Sequence, residues 1–310
     1  MSAMAAPQTS HPTSTLCLGE ALVDLVGQPP GRRLTEVQHF SPHFGGAAAN
    51  VAVVAARLGA RIALAGGAGA DVWGEWLLER LRDERVDVSR FELLPGHQTP
   101  LAFVTLDVDG EPSYHLRGES GATVVHALAG GLPEAVAESA ALFVGTNTLV
   151  GADERAVTMR ARELALELGR PVIFDANLRL PRWSSRTDAA ATANACARGA
   201  LLVRANRAEA ELMTGEDDPE RAATALVKNG AKLVVLTLGA DGAILRGVLR
   251  ANVPGVPCQV RSTAGAGDAL TGTLLARLAL SGFYPASVAA ALPEAVAAAA
   301  AACERWGALD

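Results

Sequence analysis

From Ala141 to Leu280 the chain repeats one pattern, a short apolar run followed by a longer stretch with helical patterning. The runs are Ala141–Gly145, Val172–Asp175, Leu201–Arg204 and Leu233–Leu238. The stretches are Asp153–Leu168, Asp188–Ala197, Ala208–Thr214, Glu220–Asn229 and Asp268–Leu280. A strand that is apolar at successive positions is buried on both faces, and helices on both sides of a sheet provide that burial. Strand and helix in alternation make the sheet mostly parallel, because each helix returns the chain to start the next strand in the same direction. Composition agrees: 50% of residues are hydrophobic and only 4% aromatic. That mix suits Ala-, Leu- and Val-rich helices on a buried sheet better than an aromatic-rich sandwich.

The amino-terminal part departs from the rhythm. Thr15–Leu25 reads as one strand-like run broken by Gly19 and Glu20, with Asp24 closing it. Gly46–Leu58 reads as a helix stopped by Gly59, Arg61–Gly66 as a strand and Trp73–Arg85 as a helix. Leu101–Arg117 is a pair of β-like runs around Asp109-Gly110, a hairpin turn signal. With the segment after Asp24 it predicts a small β flap, built from about residues 25–44 and 97–120, on one α/β domain spanning 15–310. Residues 1–14, polar and without an apolar run, are expected to be a disordered tail rather than a signal peptide. Ala286–Cys303 is apolar but holds Pro293 and Glu294, so it is expected to be a packing helix, with no membrane partner. The net charge of -6 gives no footprint for nucleic acid. The four widely spaced cysteines suit reduced thiols and a cytoplasmic location.

Chemistry concentrates at Thr263-Ala-Gly265-Ala266-Gly267-Asp268, immediately before a helical run. Small residues let backbone approach a ligand, and the unpaired N–H groups of a helix start make an anion hole. A carboxylate at its end could take a hydroxyl proton while those N–H groups steady a moving phosphoryl group. Other glycine chemistry is excluded: no GxxxxGK[ST], HExxH or GxSxG occurs, and Gly66-Gly67-Ala68-Gly69 lacks the GxGxxG spacing. Further polar residues stand at predicted strand ends, where open α/β sheets bind ligands. They are Asp24; Gly45, Gly46 and Asn50; Asp175, Asn177 and Arg179; Asn206 and Glu209; Thr237 and Gly239.

These residues carry a resemblance. Gly45-Gly46-Ala-Ala-Ala-Asn50 through Arg57-Leu58-Gly59 resembles the amino-terminal signature of the ribokinase-like (PfkB) sugar kinases, and Gly265–Asp268 resembles their carboxyl-terminal signature. Asn206-Arg-Ala-Glu209 is similar to their NxxE motif, and Thr237-Leu-Gly239-Ala-Asp-Gly242 to their nucleotide-site turn. The resemblance runs from about Leu16 to Leu309. It implies a three-layer α/β sandwich with a mostly parallel central sheet and a β lid. By the same carry-over Asp268 is the general base, and Gly265, Ala266 and Gly267 form the anion hole. Asn206 and Glu209 would order phosphate and Mg²⁺ through water, Thr237, Gly239 and Gly242 would line the ATP pocket, and Asp24, Gly45, Gly46 and Asn50 would hold the sugar. Gly19–Asp24, Asn147 within Thr146–Leu149, and Asp175–Trp183 look like bacterial fructokinases. Arg117 and Arg179 are also similar to the arginines of 2-keto-3-deoxygluconate kinases, the alternative acceptor, and a catalytically silent sensor is the rival of another class. Ser262 stands where the family opens DTxGAGD with Asp, which leaves a monovalent-cation requirement open, and Leu270 replaces a common Phe. A homodimer through the lid is the expected assembly.

Overall fold

In the computed structural model, residues 13–28, 33–107, 109–118, 125 and 128–309 are described. Most of the expected tail therefore lies outside the described residues. In chain order the strands are β1 (Thr15–Leu18), β2 (Leu22–Gln28), β3 (His39–Gly45), β4 (Ile62–Gly69), β5 (Asp87–Leu94), β6 (Leu101–Leu106) and β7 (Pro112–Arg117). They continue with β8 (Ala141–Gly145), β9 (Val172–Asp175), β10 (Leu202–Asn206), β11 (Leu233–Thr237), β12 (Ala243–Gly247) and β13 (Ala251–Val253).

Alternate residues of each central strand enter different cores. Leu16, Leu142, Val144, Phe174, Val203 and Leu236 face one side of the large sheet, together with Ala165, Ala193, Ala210 and Leu226 of the helices laid there. Cys17, Phe143, Ile173, Leu202 and Val235 face the other, with Val51, Leu77, Leu274 and Leu292. Burying each such side chain is worth about 1.5–3 kcal/mol, so both helix layers are held by the same strands. The sheet has the order β13-β12-β11-β10-β9-β8-β1-β4-β5. Pairing is parallel from β11 across to β5 and antiparallel only at β11–β12 and β12–β13.

Helix starts follow from local capping. Asp71 accepts from Trp73 and Gly74 N–H at the head of Val72–Asp83, and Ser185 accepts from Asp188 N–H at the head of Arg186–Ala197. Helices Ala47–Arg57 and Ala266–Leu280 touch closely, since a Cβ at Gly272 would lie 2.6 Å from the Val54 Cβ. Ala286–Cys303 is long and apolar enough to cross a membrane by length and composition. In the fold it packs Val288, Leu292 and Val296 into the core, and its Glu294 accepts a 2.9 Å bond from Arg277 of the neighbouring helix.

A second, four-stranded sheet has the order β3-β2-β6-β7, with β2 parallel to β6 and both outer pairs antiparallel. Its own buried cluster is small: Val26, Ala102, Val104 and Leu106.

The structure corrects one sequence expectation and adds elements. Thr15–Leu25 is not one strand: β1 ends at Leu18, and Asp24 lies inside β2, in the second sheet, between His43 and Ala102. The chain changes sheets at Gly19-Glu20, where a Cβ on Gly19 would sit 2.4 Å from the Ala48 Cβ. Strands β5, β12 and β13 and the helix Leu132–Ala137 were not expected. β5 and β13 are edge strands and β12 lies next to one; β5 and β13 mix exposed with half-buried positions instead of forming a solid apolar run.

Candidate active site

The turn before helix Ala266–Leu280 is built for close approach. Gly265 has φ 79°, and a Cβ there would lie 2.3 Å from the Ala308 Cβ. No side chain caps this helix; Ala266 N–H donates to Thr263 O at 3.3 Å, and the N–H groups of Gly265 and Gly267 are left for a ligand. Asp268 sits in the first turn, and its Oδ2 accepts a 2.8 Å bond from Asn50 Nδ2. Asn50 lies near the start of helix Ala47–Arg57, whose first turn follows Gly46 at φ 100°. Burial lifts the Asp268 carboxyl to about 6; the Asn50 bond opposes the rise, Asp175 adds to it, and Arg179 and Arg204 counter it.

Across the cleft, the small sheet supplies Asp24. Gly45 leaves room for it, because a Cβ at Gly45 would stand 2.5 Å from the Asp24 Oδ2. Burial and then the charge of Asp268 push the Asp24 carboxyl up to about 8, against the pull of Arg179. At neutral pH Asp24 is therefore mostly protonated and can donate as well as accept. The Arg179 guanidinium lies 5.2 Å from the Tyr114 ring centroid, a cation–π contact. Burial, then the Asp24 charge, raises the Tyr114 phenol above its ordinary value. Arg117 donates to its neighbour's carbonyl, Leu116 O, at 3.1 Å. Glu20 Oε1 accepts from Ala47 N at 3.2 Å and from Asn147 Nδ2 at 2.6 Å, and Arg182 donates to Asn147 Oδ1 at 3.0 Å.

The third group stands at the carboxyl ends of β9, β10 and β11. The parallel register sets Arg204 opposite Asp175 on one side and, on the other, opposite Val235, two residues before Thr237. Arg204 donates to Asp175 Oδ1 at 3.3 Å and to Thr237 Oγ1 at 2.9 Å, while Thr271 Oγ1 donates to Asp175 Oδ2 at 2.6 Å. Asn206 and Glu209 form a capping box: Asn206 Oδ1 accepts from Glu209 N at 2.9 Å and Glu209 Oε2 from Asn206 N at 2.8 Å. Glu209 Oε1 also accepts from Leu178 N at 2.9 Å. Burial raises the Glu209 carboxyl, and Arg204 opposes that rise.

These three groups enclose one cleft of about 670 Å³, within the size range of small-molecule sites. Of the residues predicted from sequence, Gly265, Gly267, Asp268, Asn206 and Glu209 line it, facing Asp24, Gly46, Asn50, Arg117, Asn147 and Arg179. Gly45, Ala266, Thr237, Gly239 and Gly242 do not line it. Gly45 and Thr237 support lining residues from behind, as above. Gly242, at φ 91°, lies with its Cα against Val253 O, and Gly239 has open space around it. Ser262, fully buried, accepts a 3.1 Å bond from Ala264 N and thereby shapes the turn. Among the described residues no group of three His, Cys, Asp or Glu side chains could hold a metal ion. Sequence reading gave no role to Glu20, Tyr114, Arg182 or Arg204, which also line the cleft. The one available signal was a charge interrupting an apolar strand, as in Leu-Leu-Val-Arg204.

Comparison with known proteins follows the same outline. The model of the pfkB family carbohydrate kinases matches residues 12–310. Fructokinase-1 of Oryza sativa subsp. japonica is 35% identical over 262 residues, which is 84% of this chain and 81% of that protein. The structure of fructokinase from Vibrio cholerae O395 in its fructose-, ADP- and calcium-bound form superposes with a TM-score of 0.80 at 30% identity, covering 96% of this chain and 95% of that one. Aminoimidazole riboside kinase from Salmonella enterica, complexed with aminoimidazole riboside and an ATP analog, gives a TM-score of 0.80 at 25% identity, with 96% and 95% covered. With a family match from residue 12 to the last residue and a cleft of this build, the chain belongs to the pfkB family of carbohydrate kinases and is an ATP-dependent sugar kinase.

Proposed function

We propose that the acceptor is fructose and that Asp268 is the base that activates its hydroxyl. One observation carries this reading: a half-buried carboxylate at an uncapped helix start, bonded to Asn50 and facing Asp24 across the cleft. Asp268, lifted to about 6, is largely ionised at neutral pH yet basic enough to accept a hydroxyl proton. The N–H groups of Gly265 and Gly267 offset charge on the phosphoryl group in flight. Asp24, Asn50 and Asn147 fix the sugar hydroxyls, and the small sheet closes over them as a lid that excludes water. Mg²⁺ enters as part of the nucleotide substrate. Each Glu209 oxygen accepts one backbone N–H, so lone pairs remain for waters of the ion's shell. The outer strands β3 and β7 offer edges for a second copy of the chain.

A carboxylated acceptor such as 2-keto-3-deoxygluconate is the second reading, because Arg117 and Arg179 both line the cleft. Neutral fructose is favoured over it because the chain is 35% identical to fructokinase-1 of Oryza sativa subsp. japonica and 30% identical to the fructose-bound fructokinase of Vibrio cholerae O395. The test is ADP release over a panel of fructose, 2-keto-3-deoxygluconate, ribose, myo-inositol and adenosine, with potassium varied and Asp268→Asn as the blank. Highest kcat/KM on fructose is the expected result. Highest kcat/KM on 2-keto-3-deoxygluconate overturns the fructose assignment, and turnover by the blank overturns the base.

A further inference from the structure

Arg204 is a buried charge in the cleft that the mechanism above leaves unused. Its side chain is 9% exposed, and its guanidinium lies directly against the anion-hole turn. A Cβ at Gly267 would sit 2.8 Å from Nη1, 2.9 Å from Nη2 and 3.0 Å from Cζ. The fork is anchored by Asp175 and Thr237, and Nε has no hydrogen-bond partner although it is buried. Two of its five N–H groups are thus engaged, while the residue lines the cleft beside Gly265, Gly267 and Asp268.

A cation held this way is costly to bury without an anion to face. Asp175 at 3.3 Å and the nearby charges of Glu209 and Asp268 hold the guanidinium ionised, while three of its five N–H groups remain without a partner. We propose that Arg204 grips the phosphoryl group as it passes from ATP to the sugar, completing the anion hole from below. The sugar oxygen bonds to the γ-phosphorus as the bond to the β–γ bridging oxygen breaks. The hydroxyl proton goes to Asp268, ADP leaves with the electron pair, and Arg204 keeps its protons throughout. A planar fork fixed by two partners requires no reorganisation at the moment of transfer. Asp175 and Thr237 are then positioning residues, acting through Arg204.

This inference rests on the sugar-kinase reading of the cleft and on Asp268 as the base, and Asp268→Asn is run beside it to keep the two apart. Steady-state kinetics with the best acceptor, melting temperature, and the ADP-induced rise in melting temperature are measured for Arg204→Gln, Arg204→Lys and Thr237→Val. Arg204→Gln is expected to lose about 10²–10³ in kcat, the loss typical of one missing oxyanion donor. Acceptor KM and the ADP-induced shift should stay within about twofold, because the lost contact belongs to the transition state. Arg204→Lys should recover about tenfold, having the charge without the fork. Arg204→Gln with kcat within about threefold of the parent overturns the proposal, and so does a loss of kcat matched by loss of ADP binding. If Arg204→Gln does not fold, Thr237→Val decides: a fall in kcat at unchanged KM supports the assignment, and an unchanged kcat overturns it. Turnover by Asp268→Asn sinks the reading beneath; an inactive Asp268→Asn with an active Arg204→Gln sinks this inference alone.

Discussion

The two sheets do different work with the same chain. The large sheet is buried on both faces, and its strand ends hold Asp175, Arg204 and Thr237 in a closed set of side-chain bonds that also ties down Thr271 in the Asp268 helix. The small sheet has four residues in its own buried cluster and presents Asp24, Tyr114 and Arg117 to the cleft. Groups suited to phosphate therefore stand on the better-packed scaffold, while the acceptor is held from both sides, by Asn50 and Asn147 beside the large sheet and by Asp24 on the lighter one. Changes confined to the small sheet can therefore alter the choice of sugar without disturbing phosphoryl transfer.

The strongest way to break that division is to exchange one carboxylate on each side. Asp268→Asn should lower kcat by about 10²–10⁴, as for loss of a general base, with melting temperature and ADP binding retained. Asp24→Asn should instead act on fructose KM, raising it roughly tenfold for one lost hydrogen-bonding partner, and leave the ADP-induced shift alone. Equal loss of kcat in both would erase the distinction. Packing should divide the same way. Phe143→Ala in the large sheet is expected to cost about 3–5 kcal/mol, and Leu106→Ala in the small sheet about 2 kcal/mol, both read from denaturant melts.

Acidity sharpens the contrast further. Because Asp268 titrates near 6, kcat/KM should fall about tenfold per unit below that pH. Both carboxyls bind protons more tightly folded than unfolded, Asp268 at about 6 and Asp24 at about 8. Their contribution to stability is complete below the ordinary carboxylate range and is lost as pH rises through 6 and then 8. The ligand-free melting temperature should thus decline across that window, and Asp24→Asn should flatten its upper part. The smallest effect is expected at the contact between the two regions. Thr263 N donates to Gly110 O at 2.9 Å, and Thr263 Oγ1 donates to Glu111 Oε2 at 3.0 Å. Thr263→Val removes only the exposed half of that link, so a change of about threefold in fructose KM, with no change in melting temperature, is the expected reading.

The parallel half of the fold was legible because its strands are buried on both faces. Val172–Asp175 and Leu233–Thr237 are apolar at successive positions and cannot be mistaken for surface. β5 was not, since Asp87-Val-Ser-Arg-Phe-Glu-Leu-Leu has the mixed polarity of a half-covered edge. Reading Thr15–Leu25 as one strand hid the change of sheet at Gly19-Glu20, and with it the true place of Asp24. In the site, Asp268, Asn50, Asn206 and Glu209 were found through turns and caps, which are local. Arg204 and Glu20 were missed because their meaning is not local: each is defined by partners on other elements, Asp175 and Thr237 for one, Ala47 N and Asn147 for the other.

The parallel pairing of β2 with β6 has a consequence for how the molecule comes into being. Val23 lies beside Leu101, and between them the chain runs through the helix Ala47–Arg57, two strands of the large sheet and the helix Val72–Asp83. Contacts so distant in sequence form late, after the intervening segments have closed the distance. The phosphate cradle needs contacts more distant still, Thr271 with Asp175 96 residues apart and Asp268 with Asn50 218 apart. A newly made chain would therefore pair β2 with β6 before it could bind ADP, and a refolding experiment should recover ADP binding last.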